Sequence, residues 1–101
     1  MLTSKQRAFL RGQANALEPV FQIGKGDIDE DISKGVNDCL LKRELIKIKV
    51  LENSPYNAKE AAELLSEAIH CDVVQVIGSK LVLFKKKSKD SHFDLKNLTV
   101  L

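Results

Sequence analysis

The composition of this 101-residue chain fits one globular domain, because a hydrophobic content of 44% is enough to build a single core. Sixteen Lys and Arg stand against fourteen Asp and Glu, so the net charge of +2 does not by itself indicate a nucleic-acid-binding protein. The apolar runs are far too short to cross a bilayer, and the first five residues lead into no signal-peptide core. These features predict a cytoplasmic protein.

The first predicted elements are a helix over residues 3–17 and a strand over residues 20–23. Thr3 or Ser4 is a suitable N-cap for the helix. Pro19 forbids its continuation, and the β-prone residues after it end at Gly24. One side of the helix carries the apolar side chains Leu2, Phe9, Leu10 and Leu17.

A second helix is predicted after Gly26, where Asp27 and the carboxylates that follow it would be stabilised by the positive end of the helix dipole. Residues 45–51 then alternate apolar side chains with Lys47 and Lys49, which predicts a strand with one solvent-facing side. On this pattern the two lysines indicate solubility more than binding. The apolar stripe of the second helix is Ile28, Ile32, Val36, Cys39 and Leu40.

The remaining predicted elements are a third helix and a hairpin. Asn57 and Glu60 have the spacing of a capping box, which starts a helix that runs to about residue 70. Two apolar, β-rich runs at residues 73–77 and 81–84 flank Gly78-Ser79, which suits a type II′ turn. Both runs are predicted to be central strands, with the first helix covering the second face of the sheet. The third helix is predicted to bury Ala61, Leu64, Leu65, Ala68 and Ile69.

The predicted fold is a compact layered α/β domain in the order α-β-α-β-α-β-β, with a mixed four-stranded sheet. The domain is expected to span residues 1–86, and the charged residues 87–101 are expected to form a loosely held C-terminal tail. Cys39 and Cys71 have no spacing that suggests a disulfide, so both are predicted to be reduced, buried thiols.

The strongest candidate for a binding site is the segment Gly24-Lys25-Gly26-Asp27. It leads from a strand to a helix N-terminus, where glycine permits close approach of another backbone and free N–H groups can bind a phosphate. Glycine also serves such turns for structural reasons alone, and that alternative stays open. The segment matches neither the Walker phosphate loop nor the dinucleotide-binding fingerprint, which excludes those classes of enzyme.

Two groups of basic residues are further candidates for RNA contacts. Arg7 and Arg11 lie one turn apart on the first helix, so they either hold successive phosphates or form a merely solvated surface; Lys5 flanks them. A dense run leaves the last strand, and it either binds RNA backbones without sequence preference or protects a strand edge from aggregation. That run comprises Lys85, Lys86 and Lys87, followed by Lys89.

No arrangement of residues indicates catalysis. His70, Cys71 and His92 do not have the spacing of a zinc site. The aspartates at positions 27, 29 and 31 are better explained as helix caps and dipole partners than as magnesium ligands. We therefore expect a protein that is not an enzyme, with no metal, no other cofactor and no small-molecule substrate.

Several segments, in this order and at these spacings, resemble the YhbY-like, or CRM-domain, family. The resemblance covers about residues 2–86 and implies the same element order, with a fold similar to the C-terminal domain of bacterial translation initiation factor three. The matching segments are Leu2-Thr3-Ser4-Lys5-Gln6-Arg7 with Leu10-Arg11 and Ala14, Leu17-Glu18-Pro19-Val20, Gln22-Ile23-Gly24-Lys25-Gly26, Glu44-Leu45-Ile46-Lys47-Ile48-Lys49-Val50 and Val74-Gln75-Val76-Ile77-Gly78.

The resemblance implies an RNA-binding function. Bacterial single-domain members of the family associate with precursors of the large ribosomal subunit, so the implied partner is ribosomal RNA and the implied role is that of an assembly factor. The glycine segment is related in shape to the Gly-x-x-Gly loop of KH domains, which approaches the RNA backbone. Members often carry Gly-Lys-x-Gly, whereas Asp27 occupies the fourth position here. The implied contacts are Gly24, Lys25 and Gly26, together with Lys5, Arg7 and Arg11.

A second hypothesis is a protein-interaction adaptor on the ribosome. In that case the acidic start of the second helix would bind a basic ribosomal protein, and RNA contact would be incidental. Under both hypotheses we expect the chain to act as a monomer, away from membranes.

Overall fold

The computed structural model describes residues 2–85, which form three helices and four strands. The order of these elements confirms the predicted α-β-α-β-α-β-β arrangement. Within the described residues, no helix has the length and apolar character needed to cross a membrane. In chain order the elements are α1 (Ser4–Ala14), β1 (Phe21–Ile23), α2 (Glu30–Arg43), β2 (Leu45–Val50), α3 (Ala58–Ile69), β3 (Asp72–Ile77) and β4 (Lys80–Phe84).

The four strands form one mixed sheet in the order β1-β2-β4-β3. β1 runs parallel to β2, and β4 is antiparallel to both of its neighbours. Helix α2 connects the parallel neighbours β1 and β2. Helix α3 carries the chain past the position of β4 to the far edge, and β4 then returns between β2 and β3.

Helices cover both faces of the sheet. Successive side chains of a strand point to opposite faces, so one strand can contribute to a core on each side. In β4, Leu81 and Leu83 join the larger core with α2 and α3, whereas Val82 and Phe84 join a second core with α1. Leu10 of α1 is fully buried in this second core. The prediction that the first helix covers the second face of the sheet is therefore confirmed.

Local capping signals fix the starts of α1 and α3. Gln6 N–H donates to Thr3 Oγ1 at 3.1 Å, and Thr3 N–H donates to Gln6 Oε1 at 2.8 Å. Asn57 and Glu60 make the same reciprocal pair at the start of α3, at 2.8 and 3.0 Å. Each capping box satisfies N–H groups that the helix itself leaves without a partner.

Helix α1 ends at Ala14, three residues earlier than predicted. Residues 15–16 form a turn instead, and Leu17 N–H donates to the Ala14 carbonyl at 3.0 Å. Leu17 thereby packs against the second core from outside the helix. The apolar side chain belongs to the core as predicted, but it reaches the core from a turn.

The prediction that both hairpin strands are central is wrong for β3. The sheet has two inner positions, and β2 and β4 occupy them, so β3 lies at an edge. Val76 and Ile77 are accordingly 38% and 60% exposed. The hairpin turn agrees with the type II′ prediction, because Gly78 has φ +56° and Ser79 does not have a positive φ.

The buried face of α3 is also rotated from the predicted one. Leu64 is 39% exposed and Ala68 is exposed, whereas Ala58 and Ala62 are buried. Alanines let the helix axis approach the sheet closely, so the small side chains take the inner face and Leu64 is turned outward.

The two cysteines are free thiols that pack against the edge of the larger core. Both are partly buried rather than fully buried. Burial raises the pKa of Cys71 to about 11, with a smaller contribution from the neighbouring carboxylate of Asp72. Cys71 is therefore a protonated packing residue at neutral pH, not a reactive thiolate.

Candidate nucleic-acid interface

The glycine turn, residues Gly24-Lys25-Gly26-Asp27, lies at one end of the sheet. Because β1 and β2 are parallel, both strands end there, and Leu51 N–H donates to the Ile23 carbonyl at 2.8 Å. The hairpin turn between β3 and β4 lies at the same end, where Val50 N–H donates to the Ser79 carbonyl at 2.7 Å. Three loops therefore meet at one end of the domain.

The two glycines of the turn serve different structural needs. Gly26 has φ +108°, a conformation that side-chain-bearing residues rarely adopt. A Cβ on Gly24 would instead lie 3.4 Å from Leu51 Cδ1, in ordinary van der Waals contact. Between them, Lys25 is exposed at the crest of the turn. The turn thus presents one exposed lysine on a backbone whose conformation requires glycine at position 26.

A hydrogen bond across loops holds the last residue of the turn. The Tyr56 hydroxyl donates to Asp27 Oδ1, and Ile28 N–H donates to the same oxygen at 2.8 Å. The Tyr56 bond and then the Ile28 bond hold the pKa of the Asp27 carboxyl below its usual range. Sequence reasoning did not single out Tyr56, because it lies 29 residues from Asp27.

Asp29, rather than Asp27, caps α2. Its side chain accepts from Ile32 N–H at 3.0 Å, and Glu30 and Asp31 follow in the first turn. These carboxylates confirm the predicted acidic helix start. Their negative charge disfavours the approach of a phosphate to the start of α2, so the Lys25 side of the glycine turn is the more favourable side for an anion.

The basic residues of α1 lie on the surface of the helix that covers the second face of the sheet. Lys5 and Arg11 are exposed and Arg7 is half-buried. Leu10 and Ala14, which are buried against the sheet, fix the helix that carries them. Arg7 and Arg11 therefore project from a rigid support, one helical turn apart.

Lys85 directly follows β4, at the end of the sheet that lies away from the glycine turn, and its side chain is partly buried. Its ammonium donates to the Ile69 carbonyl at 2.9 Å and to Asn37 Oδ1 at 3.0 Å, so it joins the C-terminal end of α3 to α2. Its backbone N–H donates to the Glu44 carbonyl at 2.9 Å. The predicted RNA contact of Lys85 stays a prediction; Lys86 and Lys87 lie outside the described residues.

The structure thus does not gather the three predicted clusters at one point. The glycine turn lies where β2 ends, and Lys85 lies where β2 begins, a strand length of roughly 20 Å away. The Lys85 ammonium also faces the α2–α3 side of the sheet, whereas α1 packs on the other side. Within residues 2–85, no three His, Cys, Asp or Glu side chains are arranged to hold a metal ion.

A family model for the CRS1 / YhbY (CRM) domain matches residues 2–85, which is the whole of the described chain. The chain belongs to this CRM-domain family. The predicted membership of the YhbY-like, or CRM-domain, family is confirmed.

Relatives and a solved structure agree with this assignment. The chain is 39% identical over 95 residues to "Probable RNA-binding protein YqeI" of Bacillus subtilis, covering 94% of this chain and 99% of that one. It is 34% identical over 88 residues to an RNA-binding protein of Haemophilus influenzae, covering 83% and 85% of the two chains. The solution structure of SAV1595 from Staphylococcus aureus matches with a TM-score of 0.78 and 46% identity, over 93% of this chain and 98% of that chain.

In this CRM domain, we expect Tyr56→Phe to raise the pKa of the Asp27 carboxyl towards its ordinary value, because the largest cause of its depression is removed. An NMR titration of the Asp27 carboxyl in parent and variant measures this shift. An Asp27 pKa that does not move in Tyr56→Phe would show that the bond does not form in solution.

The hydrogen bond from Tyr56 to Asp27 should also make the stability of the domain depend on pH. A lowered carboxyl pKa stabilises the folded state above the unfolded pKa, and this contribution is lost as the pH falls through the folded pKa. The Asp27 bond also raises the pKa of Tyr56, so its contribution persists below the ordinary pKa of tyrosine and is lost as the pH rises through the raised one. The parent should therefore exceed Tyr56→Phe in thermal stability at neutral pH, and the difference should shrink in acid and in strong alkali.

Lys85→Ala should destabilise the domain by about 1–3 kcal/mol, because two hydrogen bonds from a charged donor are lost between α2 and α3. Lys59→Ala, at an exposed site on α3, is the matched control and should change stability by less than about 0.5 kcal/mol. Urea denaturation measures both. Equal midpoints for the two variants would contradict an internal role for Lys85.

Proposed function

We propose that this CRM domain is a cytoplasmic RNA-binding protein that contacts ribosomal RNA in precursors of the large ribosomal subunit and acts there as an assembly factor. The observation that carries the proposal is the exposed Lys25 at the crest of a turn whose backbone is fixed on both sides. The names of the Bacillus and Haemophilus relatives support an RNA partner. Binding alone fulfils this role, with no bond made or broken.

The surface favours recognition of phosphates and shape over recognition of bases. The Phe and Tyr side chains of residues 2–85 are buried or partly buried, and His70 is the one exposed aromatic ring in this range, so this part of the chain offers no row of open aromatic faces on which successive unpaired bases could stack. Exposed cations such as Lys5, Arg11 and Lys25 are suited to phosphate oxygens. Structured RNA is recognised in this way, through its backbone and the shape of its helices.

The carboxylate of Asp27 should oppose this binding. Asp27→Asn keeps an oxygen that accepts from Tyr56 and Ile28 but removes the negative charge beside Lys25. We expect RNA affinity to rise about threefold at low salt, as Coulomb repulsion over roughly 7 Å in water implies. Asp27→Gly, which restores a residue often found in the family, should gain less because it also breaks the bond to Tyr56.

Asp38→Asn is the control for this measurement, since it removes the same charge from an exposed site on α2. Fluorescence anisotropy with a labelled RNA hairpin compares the variants. Equal affinity of Asp27→Asn and Asp38→Asn would contradict a phosphate contact at the glycine turn.

The RNA partner is tested by crosslinking the protein to RNA in cells and sequencing the attached fragments. The proposal predicts enrichment of large-subunit ribosomal RNA and sedimentation of the protein with large-subunit precursors. If the protein instead crosslinks to no ribosomal RNA and stays bound to a basic ribosomal protein after nuclease treatment, the adaptor hypothesis replaces it.

A further inference from the structure

The sheet face that α1 packs on continues beyond α1 towards the glycine turn. Helix α1 contacts this face through a core that includes Leu45 of β2 and Val82 of β4. Because alternate residues of a strand share a side, Lys47 and Lys49 lie on the same face as Leu45, and Lys80 lies on the same face as Val82. We name these three residues the lysine strip.

The sheet register places the lysines of the strip next to one another. Lys49 is paired directly with Lys80 across β2 and β4, which puts their Cβ atoms about 4.5–5.5 Å apart. Lys47 and Lys49 are two positions apart on one strand, which separates their Cα atoms by about 7 Å. Like charges directly opposite one another destabilise a sheet.

None of these lysines is paired with a carboxylate within the described residues. Among residues 2–85, none of the three ammonium groups has an ion-pair or hydrogen-bond partner. Glu18 lines a neighbouring cavity together with Lys47 without pairing with it. Three cations concentrated on a small area without a partner indicate a site for an anionic ligand.

The strip also lies between the two groups of residues that the proposed function uses. A cavity of about 210 Å³ is bordered by Lys47, Lys80 and Asn15, and Asn15 is the C-cap of α1, one turn beyond Arg11. On the other side, Gln22 of β1 is paired with Lys49 and lies two residues before Gly24. The strip thus connects the C-terminal end of α1 with the glycine turn.

We infer that the lysine strip binds successive backbone phosphates of the RNA that the glycine turn contacts, so that α1, the strip and the turn form one continuous interface. This inference rests on the proposed function. A row of cations in a recess beside a helix suits a chain of phosphates better than the broad surface of an anionic membrane. The strip then positions RNA without reading its bases.

The test uses the full chain and a short labelled RNA hairpin, with affinity measured from low to moderate salt. Lys49→Gln with Lys80→Gln should lower the magnitude of the log–log salt slope by about one per lysine and weaken binding about tenfold or more at 0.1 M salt. Lys34→Gln with Lys59→Gln removes the same charge from exposed sites on α2 and α3 and should leave the slope unchanged.

A single charge reversal distinguishes a role of the strip in RNA binding from a role in the stability of the domain. Lys80→Glu places a carboxylate opposite Lys49, so the melting temperature at low salt should rise while RNA affinity falls by more than in Lys80→Gln. A residue with a purely structural role would lose stability on the same change.

The outcomes distinguish this inference from the proposed function. If the parent binds RNA and the Lys49, Lys80 variant matches the Lys34, Lys59 control, the strip is not a contact, although the protein still binds RNA. If the parent binds no RNA, the proposed function fails and the inference fails with it. Binding of phosphatidylserine vesicles that depends on these lysines, with RNA binding that does not, would overturn the inference in favour of a membrane surface.

Discussion

Replacing Arg7 and Arg11 together by glutamine is expected to weaken RNA binding roughly ten- to a hundredfold while the domain stays folded. Leu10 and Ala14 hold α1 against the sheet, so the arginines lose little conformational freedom on contact. The planar guanidinium group also binds phosphate oxygens in pairs, which lysine cannot do. The loss should exceed that from replacing Lys86 and Lys87.

The control for this pair is again Lys34→Gln with Lys59→Gln, which lowers the net charge equally on the opposite side of the sheet. Melting temperatures of both double variants should stay close to that of the parent, since Arg11, Lys34 and Lys59 are exposed, and glutamine at the half-buried position 7 keeps most of the aliphatic part of the side chain. If both double variants lose the same affinity, binding depends on total charge, and the position of α1 is irrelevant.

Leu10→Ala is expected to destabilise the domain by about 2–5 kcal/mol, the largest stability effect among the changes considered. Leu10 is fully buried between α1 and the sheet, and its truncation leaves a cavity in the smaller of the two cores. A helix of 11 residues is marginal without tertiary packing, so α1 should detach before the sheet unfolds. RNA affinity should fall with it, because Arg7 and Arg11 lose their rigid support.

Leu41→Ala is the matched control, because this leucine of α2 is 52% exposed. Urea denaturation measures the loss of stability, and amide hydrogen exchange shows whether protection falls first in α1. Equal destabilisation by the two alanine substitutions, or uniform loss of protection across the sheet, would contradict the role assigned to Leu10.

Local features of the fold could be predicted because their partners are close in sequence. Asn57 and Glu60 are three residues apart, so their capping box was predicted from the sequence, and Thr3 was one of the two N-caps predicted for α1. The positions of β3 and β4 could not be assigned in this way. Both strands are apolar on both faces, and which one is internal depends on how far α3 carries the chain across the sheet.

Prediction of the candidate site from the sequence was limited in the same way, to features whose residues are close in the chain. The glycine turn and the arginine pair were predicted as candidates from neighbouring residues, but the structure alone revealed the contacts that join distant segments. Tyr56 holds Asp27 across 29 residues, and Lys85 reaches Asn37 across 48. Lys47 and Lys49 alone indicated solubility; only the strand register shows that Lys80 lies beside Lys49.

The most direct test of phosphate-led binding is the dependence of RNA affinity on salt concentration for the parent chain. Seven cations from Lys25, the basic side of α1 and the lysine strip predict a log–log slope of magnitude about 5 to 6 if each contacts a phosphate, since each phosphate contact contributes roughly 0.7 to 0.9. The slope should decrease by about one for each cation removed from this interface and should stay constant in Lys34→Gln with Lys59→Gln. An affinity that does not change between low and moderate salt would contradict the proposed interface.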